Sequence, residues 1–341
     1  MGICYHLWVF AQSYKISVAQ TIAITGASGY IGRHLVNQLK DISGIQVRIL
    51  CRSRQRGVDT FGLGSNLEIV EGNLYSPESL LNLLKPGCTV INLAYLWNNG
   101  ETENLAAISN LTSACIDRNV KRLIHCSTAA VVGRSPDNLI TENTPCQPIT
   151  EYGITKLKIE RAIRAAAHDN FEISILRPTS VFGLDGEPLK KLAADLVAGN
   201  RLLNYLKSCL FGYRRMNLVH VANVVAAISF LTSYQENVDG EVFIVSDDDA
   251  IANNFAEVRR TLMYFLDCPD YALSPIPLPQ WVLSLLLRSL GRNNINPNCN
   301  YSQSKLQNLG FKRSVIFEDG LMEYVSWCRA KYRGEHGIEV M

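Results

Sequence analysis

The stretch that decides the fold is Thr21–Gly32, which reads TIAITGASGYIG. Its first five residues are apolar or β-branched and stop at a glycine, as is typical of a buried parallel strand. Gly26, Gly29 and Gly32 form a glycine turn, and Tyr30–Leu39 continues with apolar residues at helical spacing. A glycine turn between a strand and a helix is the context in which backbone N–H groups hold a pyrophosphate. The stretch therefore predicts a dinucleotide site.

Strands and helices continue to alternate along the chain. Further strands are predicted at Val47–Leu50, Leu67–Val70, Thr89–Leu93, Arg122–Cys126 and Glu172–Leu176. A helix is expected after Ser76, because serine can cap its first turn and Pro77 suits its first position. This alternation specifies an α/β fold with a doubly wound parallel sheet of the Rossmann type, covered by helices on both faces.

The pattern changes after Arg177, where prolines and glycines interrupt the chain. A further helix is predicted at Val221–Leu231 and a strand at Glu241–Val245. Met1–Ala11 is apolar but lacks the basic region of a signal peptide. The expected organisation is an N-terminal extension (1–20), a dinucleotide-binding core (21–177) and a smaller C-terminal α/β substrate lobe (178–341), with 216–246 returning to the core.

Composition excludes several classes of function. The chain has 341 residues, 47% hydrophobic and 19% charged, which is ordinary for a soluble globular protein. A net charge of +2 gives no case for nucleic acid binding. Ten scattered cysteines without metal-ligand spacing predict reduced thiols, a cytoplasmic protein and no metal. Trp281–Leu290 is too short to span a bilayer; it is interpreted as a partly buried helix, with a helix at a membrane surface as the alternative.

A second short motif, Tyr152–Lys156, reads YGITK and predicts proton transfer coupled to hydride transfer. Tyr152 and Lys156 are four residues apart, so on a helix they share one face. We expect the lysine ammonium to lower the pKa of the phenol from its usual ~10. The phenol can then donate a proton to a carbonyl oxygen, or accept one from an alcohol, as hydride moves at the neighbouring carbon.

The residues after the second predicted strand bear on the choice of nicotinamide cofactor. A carboxylate there binds the ribose 2′-hydroxyl of NAD, whereas an arginine accommodates the 2′-phosphate of NADP. The segment Cys51–Arg54 contains Arg52 and no acid. Because a guanidinium can form a charge-assisted pair with phosphate, the segment favours NADP(H), with NAD(H) as the alternative.

Taken together, the motifs resemble those of an extended short-chain dehydrogenase/reductase of the NAD-dependent epimerase/dehydratase family. The resemblance extends from Thr21 to Val245. Beyond the two strings it is carried by Glu71–Leu74 near the adenine, Asn92–Tyr95 along the cofactor, Ser127–Gly133 with the catalytic hydroxyl at Thr128, Arg177–Gly183 near the nicotinamide and Leu218–Val224 near the substrate diphosphate.

This resemblance implies a set of site residues and a homodimer formed through the helices that bear Tyr152 and Leu105–Ile116. Thr128, Tyr152 and Lys156 are the expected catalytic residues, and Thr128 and Arg215 are expected to contact the substrate. The expected cofactor-binding residues are Gly26, Ser28, Gly29, Tyr30, Ile31, Gly32, Arg52, Asn73, Leu74, Leu93, Ala94, Tyr95, Tyr152, Lys156 and Pro178.

Departures from the family pattern limit the reactions that this chain is expected to catalyse. Val132 stands where a tyrosine is usual, and Asn73 and Asn223 replace usual aspartates. Sugar 4,6-dehydratases of the family carry an Asp-Glu pair after the catalytic threonine, whereas this chain has Ala129–Ala130. Elimination of water would lack its acid and base, so dehydration is disfavoured.

The remaining hydroxyl, phenol and ammonium can oxidise or reduce one carbon. The favoured interpretation is an oxidoreductase that reduces the 4-keto group of a nucleotide-sugar, with Tyr152 as proton donor. Three alternatives remain open: a nucleotide-sugar C4 epimerase that retains NAD, a reductase of steroid, flavonoid or acyl-type carbonyls, and a non-enzymatic NAD(P)-sensing regulator.

Overall fold

The computed structural model describes residues 20–289 and 296–336. The expectation for residues 1–20 lies outside this part, apart from Gln20. The strands are β1 (Gln20–Thr25), β2 (Ile45–Cys51), β3 (Leu67–Glu71), β4 (Thr89–Asn92), β5 (Arg122–Cys126), β6 (Leu139–Ile140), β7 (Glu172–Pro178), β8 (Ser180–Phe182), β9 (Leu218–His220), β10 (Glu241–Val245) and β11 (Asn300–Tyr301).

The helices alternate with these strands and cover them. They are α1 (Tyr30–Leu39), α2 (Arg54–Phe61), α3 (Pro77–Leu83), α4 (Glu101–Asp117), α5 (Glu151–Ala167), α6 (Lys190–Ala198), α7 (Arg201–Phe211), α8 (Val221–Ser233), α9 (Phe255–Phe265), α10 (Gln280–Ser289), α11 (Ser304–Asn308) and α12 (Phe317–His336). A single 3₁₀ turn, Ala129–Val131, follows β5.

Seven strands form the main sheet, in the order β10-β7-β5-β4-β1-β2-β3. The pairs from β3 across to β7 are parallel. This confirms the predicted doubly wound sheet of the Rossmann type. The order reverses between β1 and β4, and in such sheets ligands bind at the carboxyl ends of the strands beside this point.

The predicted strands and helices of the core are found with small changes at their ends. The helix predicted over Tyr30–Leu39 has those bounds, and so does the strand Arg122–Cys126. Ser76 caps α3, since its hydroxyl accepts from Ser79 N at 3.2 Å. These elements are specified by local patterns, which explains why the chain alone predicts them.

The chain divides into two compact units. The first comprises 1–131, 148–177 and 225–243, and the second comprises 132–147, 178–224 and 244–341. The core of the first unit packs buried apolar residues of the sheet against α3, α4 and α5; they include Val90, Leu111, Leu123, Ile159 and Ile175.

The second unit has its own core and two short parallel strand pairs, β6 with β11 and β8 with β9. Its core includes Phe182, Leu218, Leu262, Phe317 and Tyr324. Helices α6, α9 and α12 contribute to this core. The second unit is therefore an α/β structure, and its role as a substrate lobe stays a prediction.

Asn223, where the family usually has an aspartate, has a structural partner in this unit. Its Nδ2 donates to Asp247 Oδ1 at 3.0 Å and to Val315 O at 2.9 Å. Asp247 is fully buried, and burial raises the pKa of its carboxyl to about 6. A carboxylate at 223 would meet a second carboxylate here, so the amide suits this site.

Candidate active site

The glycine turn after β1 lies against the end of β4. Gly26 has φ 74°, a left-handed conformation that L side chains rarely adopt. A Cβ on Gly26 would lie 2.6 Å from Ala94 N and 2.7 Å from the carbonyl carbon of Leu93. The absence of a side chain at Gly26 therefore allows the turn to pass directly beside Leu93 and Ala94, two of the residues predicted to line the cofactor.

The N-terminus of α1 is suited to bind a phosphate. Gly29 is its N-cap, no side chain caps the helix, and its first turn contains no acid. The first N–H groups of a helix have no acceptor within it, so Tyr30, Ile31 and Gly32 can present theirs to an anion. Ser28 is exposed at the tip of the turn. The turn and the uncapped helix thus fit the pyrophosphate of a dinucleotide.

A buried chain of hydrogen bonds joins the ends of the three central strands. The Thr25 hydroxyl donates to Asn92 Oδ1 at 2.7 Å, and Asn92 Nδ2 donates to His125 Nδ1 at 3.1 Å. Burial lowers the pKa of His125 well below its usual range, and nearby Lys156 acts in the same direction. His125 is therefore neutral, and these hydrogen bonds hold the carboxyl ends of β1, β4 and β5 together.

The helix α5 begins so that Tyr152 lies in its first turn. Thr150 caps the helix by accepting from Gly153 N at 3.1 Å. A Cβ on Gly153 would lie 2.8 Å from Ala130 O, so the glycine lets α5 approach the turn that follows Thr128. The structure thereby brings Tyr152 and Thr128 together, as the sequence predicts for the catalytic residues.

The hydroxyl of Tyr152 is a protonated phenol at neutral pH. Burial raises its pKa well above the usual value, and the nearby Cys126 thiol adds to the rise. A hydrogen bond with the Thr128 side chain lowers the pKa, but by less. The expectation that Lys156 acidifies this phenol is not met, because desolvation dominates in the folded protein.

The Lys156 ammonium is buried and held at the end of β5. Its Nζ donates to Cys126 O at 2.9 Å and lies 5.2 Å from the centre of the Tyr95 ring. Burial lowers the pKa of Lys156, while Cys126 and Glu160 raise it. The ammonium has further hydrogens to donate, and its predicted contact with the cofactor stays a prediction.

A buried ion pair anchors α5 to the sheet. Arg177 Nε donates to Glu160 Oε1 at 3.0 Å and Arg177 Nη2 to Glu160 Oε2 at 2.6 Å. Both side chains are buried, and the two parallel bonds restrict their geometry. Because Glu160 is one turn beyond Lys156, this pair fixes the part of α5 that carries the two predicted catalytic residues. Sequence reasoning missed it.

Three aromatic rings meet beside the phenol. Tyr95 lies edge-on to Tyr152, with ring centres 5.0 Å apart. Trp97 stacks on Tyr152 with ring centres 4.9 Å apart and planes at 16°. The sequence predicts Tyr95 as a cofactor residue but says nothing of Trp97, because no periodic pattern marks the segment before α4.

The structure places the carboxylate of Glu71 beside the residues that follow β2, at the adenosine end of the predicted site. Arg52 follows β2 and is exposed. Glu71, at the end of the neighbouring β3, accepts from Arg54 N at 3.1 Å. Asn73 Oδ1 accepts from Tyr75 N at 2.9 Å, and its predicted contact with the adenine stays a prediction. Leu74 is half-buried beside them.

Two predicted residues, Pro178 and Arg215, belong to the second unit. Pro178 ends β7 and is buried. Arg215 is half-buried, and its Nη1 donates to Ala250 O at 3.2 Å. Their predicted roles with the nicotinamide and the substrate stay predictions.

Two features are absent from residues 20–289 and 296–336. None of the helices there is long and apolar enough to cross a bilayer. Across the same ranges, His, Cys, Asp and Glu side chains form no group of three or more that could hold a metal ion.

Known proteins resemble this chain in sequence and in fold. UDP-glucose 4-epimerase of Vibrio cholerae is 27% identical over 296 residues, covering 81% of this chain and 84% of the relative. A 4-hydroxy-2-methyl-3-oxo-4-farnesyl-3,4-dihydroquinoline-1-oxide ketoreductase of Stigmatella aurantiaca is 27% identical, covering 72% of each. The solved structure of MoeE5 in complex with UDP-glucose and NAD has a TM-score of 0.68 at 24% identity, covering 92% of this chain and 99% of that one.

The comparison with protein families agrees with the motifs. The sequence profile described as "NAD dependent epimerase/dehydratase family" matches residues 22–246, which span β1 to the end of the main sheet. This match includes the glycine turn, Thr128, Tyr152 and Lys156. The chain belongs to the NAD-dependent epimerase/dehydratase family.

Proposed function

We propose that the protein reduces the 4-keto group of a nucleotide-sugar, with Tyr152 as the proton donor. The observation that carries this proposal is the half-buried, protonated phenol in hydrogen-bond contact with Thr128. A carbonyl oxygen that receives hydride at its carbon needs a proton, and a neutral phenol can supply it. The missing acid and base at Ala129–Ala130 argue against dehydration.

Each side chain has a distinct part in this proposal. The Thr128 hydroxyl orients the carbonyl oxygen towards the Tyr152 hydroxyl, which transfers its proton. The Lys156 ammonium stabilises the phenolate that results and binds a ribose hydroxyl. The uncapped turn of α1 holds the pyrophosphate. The bound dinucleotide supplies the hydride.

The direct test is turnover by the purified protein. A UDP- or dTDP-linked 4-keto-sugar and NADPH are added, and the absorbance of the reduced nicotinamide is followed with the sugar products. We expect one reduced sugar for each NADPH consumed. A protein that consumes no reduced nicotinamide with either sugar would contradict the proposal.

C4 epimerisation of a nucleotide-sugar is the second candidate. It is favoured by the similarity to the epimerase of Vibrio cholerae and by the fold shared with MoeE5, whose structure contains UDP-glucose and NAD. Epimerisation needs the same phenol to accept a proton and then return it. Protein that purifies with bound NAD and converts UDP-glucose to its C4 epimer, without net use of cofactor, would establish this candidate instead.

Reduction of a lipophilic carbonyl is a third candidate. The similarity to the ketoreductase of Stigmatella aurantiaca, whose named substrate carries a farnesyl group, favours it. The exposed apolar side chains of α7 and α10 in the second unit, Leu202, Leu206, Trp281 and Leu285 among them, also support it. Turnover of a farnesylated or steroid ketone faster than a keto-sugar would identify this class.

NADPH is proposed as the reductant because Arg52 is exposed at the end of β2. We expect Arg52→Ala to weaken NADPH binding by roughly tenfold or more, and NADH binding little, since one charge-assisted contact to the 2′-phosphate is lost. Isothermal titration of both cofactors measures this. Glu71→Gln is the matched variant. It should strengthen the binding of NADPH relative to that of NADH, because the carboxylate of Glu71 repels the 2′-phosphate. Equal weakening of both cofactors in Arg52→Ala would contradict the NADP assignment.

A homodimer is proposed through the outer faces of α4 and α5. These helices are linked by the Lys158–Glu101 ion pair at 2.6 Å. The exposed residues of α4 are small at Ala106, Ser109 and Ser113, which permits close approach of a second copy. Light scattering at a monomer mass would contradict this.

The protein is proposed to work in the cytoplasm, with attachment to a membrane surface as an alternative. The nine cysteines in the described residues are free thiols, which supports a reducing compartment. Leu278 N donates to Cys209 O at 2.8 Å, so the apolar segment before α10 contacts α7. Failure to cosediment with phosphatidylserine vesicles would exclude attachment.

A further inference from the structure

The indole of Trp97 is unusually exposed for a large aromatic side chain beside a reactive group. It is 72% exposed, yet one face stacks on the ring of Tyr152 at 16°. A side chain this exposed adds little to the core, so its removal leaves the packing of the first unit intact. Its aromatic contacts are with Tyr152 and Tyr95, which points to a role in the site.

The segment that carries Trp97 is held from both sides by one buried side chain. Asn104 Oδ1 accepts from Leu96 N at 3.0 Å, and Asn104 Nδ2 donates to Leu96 O at 3.1 Å and to Gly100 O at 3.0 Å. Asn104 itself is buried in α4. The backbone around Trp97 is therefore fixed, and the indole is presented at a defined position.

The ring of Tyr95 contacts both Trp97 and Tyr152. Its ring stands edge-on to Trp97 at 4.8 Å and 71°, and edge-on to Tyr152 at 5.0 Å and 87°. Tyr152 is thus held by one ring on its face and by a second ring at right angles. Offset-stacked and edge-to-face arrangements are the favourable ones for aromatic pairs, so these contacts restrict the side-chain torsions of Tyr152.

We propose that Trp97 is a positioning residue for the proton transfer: its indole fixes the Tyr152 ring and shields one face of the phenol from water. The inference rests on the proposed function, in which Tyr152 donates the proton. A general acid must stay within hydrogen-bond reach of the atom it protonates, and a small misplacement lowers the rate strongly. Shielding from water also disfavours the phenolate and keeps the acid form present.

The test compares Trp97→Ala with Trp97→Phe, which keeps an aromatic ring on Tyr152. We expect Trp97→Ala to lower kcat by roughly ten- to a hundredfold with KM unchanged, and Trp97→Phe to restore most of it. Since Trp97→Ala lets water reach the phenol, the pKa of Tyr152 should fall, and the loss of activity at high pH should begin at a lower pH. Tyr264→Ala, which removes an exposed aromatic side chain from the second unit, should leave both kcat and the pH dependence of activity unchanged.

A measurement without turnover separates this role from the chemistry. In the cofactor-free protein, ultraviolet titration of Trp97→Ala should show one tyrosine ionising at lower pH than in Trp97→Phe. Unchanged kcat and titration in Trp97→Ala, or a rise in KM alone, would overturn the positioning role. If Tyr152→Phe stays active, the proposed function fails; if it is inactive while Trp97→Ala matches the unmodified protein, only the inference about Trp97 fails.

Discussion

Tyr152→Phe is expected to lower kcat by about a thousandfold or more, with cofactor affinity little changed. Removing one general acid typically costs two to four orders of magnitude in rate, roughly 3–5 kcal/mol of transition-state free energy. The phenylalanine keeps the ring that stacks on Trp97, so the aromatic contacts and the start of α5 should persist. Steady-state kinetics with the favoured keto-sugar, together with titration of the cofactor, measures both quantities.

Tyr264→Phe is the matched control for this variant. Tyr264 is 75% exposed on α9, far along the chain from the proposed site, and the substitution also removes one phenolic hydroxyl. It should leave kcat unchanged. A Tyr152→Phe protein that retained a tenth of the activity or more would remove this phenol from the mechanism, and Thr128 would become the next candidate for the proton donor.

Gly26→Ala is expected to destabilise the first unit strongly and to abolish dinucleotide binding. The left-handed conformation at φ 74° costs a residue with a Cβ about 1–2 kcal/mol. The new Cβ would also overlap Ala94 N, and overpacking of this kind costs about 1–3 kcal/mol. We therefore expect the free energy of unfolding to fall by roughly 2–5 kcal/mol. Denaturant unfolding and cofactor titration measure the two effects.

Gly29→Ala separates the fold from the ligand in the same turn. Gly29 has φ −70° and ψ 172°, which any residue can adopt, and its Cβ would lie 3.1 Å from Gly26 O. We expect little change in stability but weaker cofactor binding, because the methyl group would stand where the backbone approaches the phosphates. Equal stability of the Gly26→Ala and unmodified proteins would contradict the geometry of the turn.

The elements of the main sheet were predictable because their signals are local. A short apolar run that ends at glycine predicts β1, and apolar spacing of three and four residues predicts α1. The serine and proline at the start of α3 likewise act within a single turn. Neighbours in the chain carry these signals, so no knowledge of tertiary contacts is needed to read them.

The acidity of the phenol was not predictable in the same way. Spacing alone suggested that Lys156 would lower the pKa of Tyr152, since a helix puts both on one face. In the folded protein Lys156 instead bonds to Cys126 O, and burial raises the pKa of the phenol. Desolvation depends on everything packed around a group, which a sequence pattern does not contain.

The chain alone determined the Rossmann-type sheet, the glycine turn after β1 and the tyrosine–lysine pair on one helix, because glycines, periodicity and short spacings act between residues close in sequence. Tertiary structure decided which groups surround them. Glu71 reaches the end of β2 because β3 pairs with it, Arg177 clamps Glu160 because β7 underlies α5, and Trp97 covers Tyr152 through a segment held by Asn104. Such contacts depend on strand order and burial, which arise only when distant parts of the chain pack together.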